Sequence, residues 1–213
     1  MNPLAYKYLY RKNLPHIQPP GATLFVTFRL AGSIPAAVQQ QLLEEARWSE
    51  KALERVSNSH ERARQAYLEQ RRIFGKWDAA LDASASGPHW LGDPRVAQLV
   101  VDSLHHRDGH VFELDTFCVM SNHVHVVFTP LSKEDGTCHA LPAIMHSLKR
   151  YTAHQANLLL GRQGQFWQHE SYDHVVRDEA ELLRIRRYVL NNPVRAGLVQ
   201  QWDEWPWMYC KHT

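Results

Sequence analysis

The sequence predicts an α+β protein: a ferredoxin-like βαββαβ antiparallel sheet with a helical insertion after the first strand. Three observations carry this expectation. Short apolar or alternating runs occur at 22–30, 110–119, 122–129 and 171–177, the first bounded by Gly and Pro. Longer stretches with apolar residues three and four apart separate the first run from the second and the third from the fourth. The resulting order of strand, helices, strand, strand, helix, strand, helix is that of a split βαβ fold.

The first strand is ATLFVTFRL, where Leu24, Val26 and Phe28 alternate with Thr23, Phe25, Thr27 and Arg29 between Pro19-Pro20-Gly21 and Gly32. After Pro35 the pattern predicts two helices, at about 35–56 and 59–82, which form the insertion. The break falls at Ser57-Asn58-Ser59, where Asn58 with Glu61 three residues on resembles a capping box. Ala63, Tyr67, Phe74, Trp77 and Leu81 give the second helix an apolar stripe. Between Glu44 and Arg72 acids and bases nearly balance, which predicts a solvated charged face. A loop at 83–94 precedes a short helix ending near His106 and a turn at Asp108-Gly109. HVFELDTFCV and NHVHVVFT, split by Met120-Ser121, read as an antiparallel hairpin. A helix over about 140–160 carries Ile144, Leu148, Tyr151 or Thr152, Gln155 and Leu159 along one side and stops at Gly161. Short extended pieces at 165–167 and 171–177 follow. The last helix, Glu179 to Leu190, ends before Pro193, which cannot continue it.

A length of 213 residues suits one domain, 1–213, carrying a basic N-terminal arm over 1–21. With 44% hydrophobic and 22% charged residues the chain falls outside the disordered, collagenous and membrane classes. No apolar run reaches the ~18 residues of a membrane span. The first twenty residues lack the apolar core of a secretory signal, so the expected location is cytoplasmic and, for a DNA-binding chain, nucleoid-associated. Three widely spaced cysteines, Cys118, Cys138 and Cys210, build neither a disulfide framework nor a metal knuckle. The formal net charge of +2 is unevenly spread. Residues 1–32 hold Lys7, Arg11, Lys12 and Arg29 with no acid, and Tyr6, Tyr8 and Tyr10 interleave with the first three. Such a segment suits phosphate contacts and base stacking, or equally a solvated terminus.

His123-Val124-His125 lies inside the most hydrophobic strand. Residues two apart share a strand face, so both imidazoles project together. Two such histidines form half of a metal site, or two half-buried side chains satisfied by neighbours. In the following helix, Tyr151 and Gln155 lie one turn apart and can face the same strand. Two neutral imidazoles and an amide oxygen would leave a divalent ion strongly electrophilic, which suits Mg²⁺ or Mn²⁺ in phosphoryl transfer. A phenol such as Tyr151 becomes a competent nucleophile only when the phosphate charge is stabilised.

MSNHVHVVF resembles the HUH motif of single-tyrosine transposases of the IS200/IS605 type. YRKNLPHIQPPGATLFVTFRLAGSIP, SLKRYTAHQANLLLGRQGQFWQHESYDHVVRDEAEL and RYVLNNPVRAGLV all resemble the REP-associated tyrosine transposases, and these segments bracket almost the whole chain. The resemblance implies a metal-dependent single-stranded DNA transesterase that cuts near hairpins through a 5′-phosphotyrosine and a free 3′-OH. It makes His123 and His125 metal ligands, Tyr151 the nucleophile and Gln155 the third ligand, with Mg²⁺ or Mn²⁺ as cofactor. The expected partner is single-stranded or hairpin DNA of REP type, contacted by Lys7, Arg11, Lys12, Lys149, Arg150, Arg177 and Arg195, in a monomer or homodimer with no membrane. Tyr172 is the rival nucleophile, disfavoured by Glu170 and Asp173 beside it. His174 reads as a packed histidine, an extra ligand or a general acid. The stretch 191–195 is expected to shape a turn, and Trp202, Trp205 and Trp207 either stack bases or pin the tail to the core. The alternative function is a domesticated hairpin-binding protein without turnover.

Overall fold

The structure, a computed structural model, describes residues 10–11, 15–16, 19, 21–84 and 86–211. Of the N-terminal arm, Lys7, Lys12 and the side chain of Arg11 lie outside the described residues. Tyr10–Arg11 pairs antiparallel with Pro15–His16. The chain divides into two compact units, one of residues 1–31 and 89–213, the other of residues 32–88.

The larger unit is built on a five-stranded, fully antiparallel sheet. Its strands are β1 (Leu24–Arg29), β2 (Phe112–Val119), β3 (His123–Pro130), β4 (Tyr172–Val175) and β5 (Met208–Cys210). Their order across the sheet is β4-β1-β3-β2-β5, so the first four strands take the arrangement of the expected ferredoxin-like fold. The fifth strand lies in the aromatic tail, where three residues are too few for a periodic signal. The Trp205 indole N–H donates to Val119 O at 3.0 Å and the Val119 N–H to Trp207 O at 2.9 Å, so the tail is pinned to the sheet edge.

The two faces of this sheet are covered differently. Leu24, Val26, Phe28, Leu114, Phe117, Val124, Val126 and Phe128 point to one side and form a single apolar core with α3 (Pro94–His105) and α4 (Leu141–Leu159). Helix α4 turns Leu141, Ile144, Met145, Leu148, Thr152 and Ala156 inward. The opposite face carries Phe25, Thr27 and Arg29 of β1 in register with Val127, His125 and His123 of β3. Helix α5 (Glu179–Leu190) lies on that second face, followed after Asn191 by the one-turn α6 (Asn192–Arg195) with Pro193 at its start.

The smaller unit is an antiparallel helical hairpin, α1 (Ala36–Glu54) and α2 (Ser59–Asp82). Asn58 caps α2 by accepting the Glu61 N–H at 3.0 Å. The balanced charges pair between and within the helices: Lys76 with Glu45 at 2.6 Å, Arg72 with Glu69 at 2.8 Å, and Ser49 donating to Glu69 at 2.9 Å. The neck of the hairpin closes tightly, since a Cβ on Gly87 would lie 2.9 Å from Gly32 O. No helix among the described residues is long and apolar enough to cross a membrane.

Candidate metal and nucleophile site

Strand alternation brings His123 and His125 to one face, as the sequence predicts, and both rings are buried. Their Nε2 atoms stand 3.0 Å apart. Each ring is oriented from behind. His123 Nδ1 lies 2.6 Å from Asn122 Oδ1, and His125 Nδ1 lies 2.7 Å from Thr27 Oγ1 on the neighbouring strand. An amide oxygen only accepts, so the Asn122 contact assigns the His123 proton to Nδ1 and leaves Nε2 as the lone-pair atom. His125 Nε2 meets Asn192 Nδ2 at 3.0 Å, a donor that selects the same tautomer.

Two imidazole lone pairs converging at this distance repel each other unless a proton or a cation lies between them. Adjacent ligands of an octahedral ion with bonds of ~2.1 Å are ~3.0 Å apart, so the spacing suits a divalent cation. The Asn192 side chain is fully buried, and its Oδ1 has no hydrogen-bond partner. Turning the amide over exchanges oxygen for nitrogen without changing its shape, which would offer that orphaned oxygen to a cation beside His125. Two oriented imidazoles and an unsatisfied buried amide oxygen therefore fit Mg²⁺ or Mn²⁺ chemically.

The tyrosine brought to this pair is Tyr188 of α5. Its ring centroid is 5.6 Å from that of His125 and 6.1 Å from that of Phe25. The Arg195 guanidinium lies 5.1 Å from the Tyr188 ring centroid, inside cation–π range. Tyr188 and Asn192 are four residues apart across the α5–α6 junction, which places both on the side of the helix toward the histidines. A tyrosine followed four residues later by a side-chain amide occurs at 151 and 155 and again at 188 and 192. Spacing alone does not choose between them.

The structure does not bring Tyr151 and Gln155 to the histidines. Helix α4 packs on the opposite sheet face, and Tyr151 is 49% exposed with the Arg107 guanidinium 6.0 Å from its ring centroid. Tyr172 is on the histidine face but on the edge strand, where it packs edge-on against Phe25 at 6.1 Å. His174 is a packed histidine, its Nε2 3.1 Å from Glu181 Oε1 with both side chains buried.

The basic residues separate into two groups. Arg150 and Arg177 are exposed, as is Arg195 beside Tyr188. Lys149 plays a different part. Its ammonium donates to Gln168 O at 2.9 Å, His169 O at 3.1 Å and Ser171 Oγ at 2.7 Å, tying α4 to the segment before β4. Burial, aided by nearby Arg29, brings the Lys149 pKa down to about 7 while Glu170 opposes the shift. Arg29, the register partner of His123, is buried as well, and desolvation lowers its pKa to about 10 against the pull of Glu170.

No protein-family model matches the chain. The chain is 23% identical over 101 residues to a Haemophilus influenzae protein provisionally named a REP-associated tyrosine transposase, covering 45% of this chain and 57% of that protein. A second Haemophilus influenzae protein, uncharacterized, is 26% identical over 98 residues, covering 38% and 54%. The chain thus spans about half the length of the curated relatives it matches. A solved structure of a REP-associated tyrosine transposase bound to a REP hairpin aligns over 93% of this chain and 82% of its own, with a TM-score of 0.49 and 17% identity. The curated similarity is to the family that the sequence motifs resemble.

Proposed function

We propose that this chain is a REP-associated tyrosine transposase-like enzyme that cleaves and rejoins single-stranded DNA beside a hairpin, using Tyr188 as nucleophile. The observation that carries this reading is the pair of His123 and His125 Nε2 atoms 3.0 Å apart, with the Tyr188 ring 5.6 Å from that of His125. The name of the curated relative and the motif resemblance supply the substrate class. His123, His125 and Asn192 would hold Mg²⁺ or Mn²⁺, which when bound supplies charge stabilisation at the phosphate. Asn122 accepts the His123 Nδ1 proton and leaves that Nε2 available, and the Thr27 hydroxyl can accept from His125 Nδ1 to do the same there.

Tyr188 Oη attacks the phosphorus as the P–O3′ bond breaks. The DNA 5′ phosphate is then joined to the tyrosine, and the phenol proton is balanced by the one gained on the departing 3′-OH. Because a phosphodiester replaces a phosphodiester, the reverse step rejoins strands without ATP. Arg195, beside the nucleophile, is placed to contact a non-bridging phosphate oxygen. Arg150 and Arg177 are further phosphate contacts in this reading.

The test is incubation of the protein with Mn²⁺ and hairpin oligonucleotides labelled on the 3′ side of the cut, followed by a denaturing gel and peptide mapping. A labelled protein band mapping to Tyr188, lost in Tyr188→Phe and kept in Tyr151→Phe and Tyr172→Phe, is the expected result. An adduct on Tyr151 would overturn the nucleophile assignment and return the chemistry to α4. Hairpin binding with no cleavage would favour the domesticated binding protein, and cleaved product with no adduct would make water the nucleophile.

A further inference from the structure

Helix α5 is fastened to the sheet by two hydrogen-bonded side-chain pairs, on strands at opposite sides of the histidines. At the β4 side, Glu181 Oε1 lies 3.1 Å from His174 Nε2, and Glu181 Oε2 accepts the Arg177 backbone N–H at 3.0 Å. Side-chain exposure is 7% for His174 and 5% for Glu181. At the β2 side the pairing register slips between Leu114 and Thr116, a bulge that leaves Asp115 as the extra residue. The bulge frees the Asp115 carboxylate from the alternation of its strand. It accepts from Arg186 Nε at 2.7 Å and also from Arg186 Nη2, a two-point contact, and it accepts the Thr116 hydroxyl at 2.7 Å. That carboxylate raises the Arg186 pKa, so the pair stays charged.

The two anchors differ in height and in direction. Glu181 and Arg186 are five residues apart, ~7.5 Å along the helix and ~140° around it. One anchor alone would let the helix turn about that contact; two on different strands fix both its rotation and its height. Tyr188 is two turns beyond Glu181 on nearly the same side, so that rotation sets where its ring meets His125. Apolar contacts are non-directional, whereas a hydrogen-bonded pair between fixed positions accepts a narrow range of geometry, so these two pairs favour one register for the interface.

We infer that Asp115–Arg186 and His174–Glu181 are positioning pairs that hold α5 at the rotation presenting Tyr188 to the histidine pair. This rests on Tyr188 being the nucleophile.

The experiment uses the full chain with Mn²⁺ and labelled hairpin DNA, and measures three things: the rate of adduct formation at saturating DNA, the hairpin dissociation constant, and Tm. The variants are Arg186→Lys, which keeps the charge and loses the two-point contact, and Glu181→Gln. A third, the double variant Asp115→Leu/Arg186→Met, replaces the pair by apolar side chains and so should fold even if a single change does not. Leu148→Ala, in the core on the other sheet face, supplies the effect of lost stability by itself. The positioning variants should form adduct roughly 10- to 100-fold more slowly at saturation, because small misplacement of a nucleophile costs that much. Their hairpin affinity should stay at the wild-type value, and Leu148→Ala at matched Tm loss should keep the wild-type rate per folded molecule. Adduct rates in all three positioning variants no slower than in Leu148→Ala would overturn the inference while leaving Tyr188 intact. Absence of a Tyr188 adduct in the wild type would instead overturn the nucleophile and this inference with it.

Discussion

Asn192 occupies a single position where three demands meet. It starts α6, contacts His125 Nε2 through Nδ2, and keeps a buried Oδ1 without a hydrogen-bond partner. A buried amide oxygen left unsatisfied costs ~1–3 kcal/mol, which a bound cation would offset. Asn192→Ala should therefore weaken Mn²⁺ affinity by roughly 10- to 100-fold, the usual effect of removing a group that ligates or orients a ligand. Asn192→Asp, adding charge, should tighten it, and His125→Ala should remove binding and cleavage together. Titration calorimetry with Mn²⁺ alone checks all three affinities, and an unchanged value in Asn192→Ala would leave this residue a turn former only. Nothing in the local sequence marks Asn192 above Gln155, since both follow a tyrosine by four residues.

Among the elements, α4 shows how a helix with suitable residues can lie away from the histidine pair. It carries His146, Lys149, Arg150, Tyr151, His154 and no acid, yet its apolar stripe commits it to the sheet face away from the histidines. Its Lys149 clip gives a stability prediction with a definite sign. The folded chain sheds the Lys149 proton near pH 7, whereas the unfolded chain keeps it to the ordinary lysine value. Above about pH 7 the unfolded state therefore binds more protons, and unfolding free energy rises with pH through this group. Denaturant unfolding of wild type and Lys149→Met between about pH 6 and about pH 9, a range that brackets the lowered value and stays below the ordinary one, should show this slope in the wild type only. Equal slopes in the two proteins would mean that the carbonyl and hydroxyl partners keep the ammonium charged. The clip also orders the segment leading into β4, whose His174 anchors α5.

At the scale of the whole molecule, the charge distribution is the quantity to test. The basic excess lies in residues 1–32, and the remainder carries slightly more acid than base. If Lys7, Arg11 and Lys12 contact phosphates, changing all three to Ala should flatten the dependence of log affinity on log salt by roughly 0.7 per lost contact on single strands. Fluorescence anisotropy with a labelled hairpin across a salt series measures the slope, and an unchanged slope would return the arm to a solvated terminus. The helical hairpin of residues 32–88 answers to different forces. Lys76–Glu45 and the Ser49–Glu69 hydrogen bond tie α1 to α2, Arg72–Glu69 pairs within α2, and the balanced charges of the sequence argue against a phosphate-binding patch.

Period and punctuation determined much of this protein from the sequence alone. Alternation in 22–30 and 122–129, Gly and Pro boundaries and the helical stripes yield the strand and helix order. The period of two puts His123 and His125 on one face without any tertiary information. Local spacing carries no information about which side of a sheet a helix will cover, and there the tertiary structure decided. Packing α4 with α3 against Val124, Val126 and Phe128 removed Tyr151 and Gln155 from the histidines, and laying α5 on the other face brought Tyr188 and Asn192 to them. The bulge at Asp115 and the edge strand Met208–Cys210 were illegible for the same reason: each exists only through pairing with a partner strand far away in the chain.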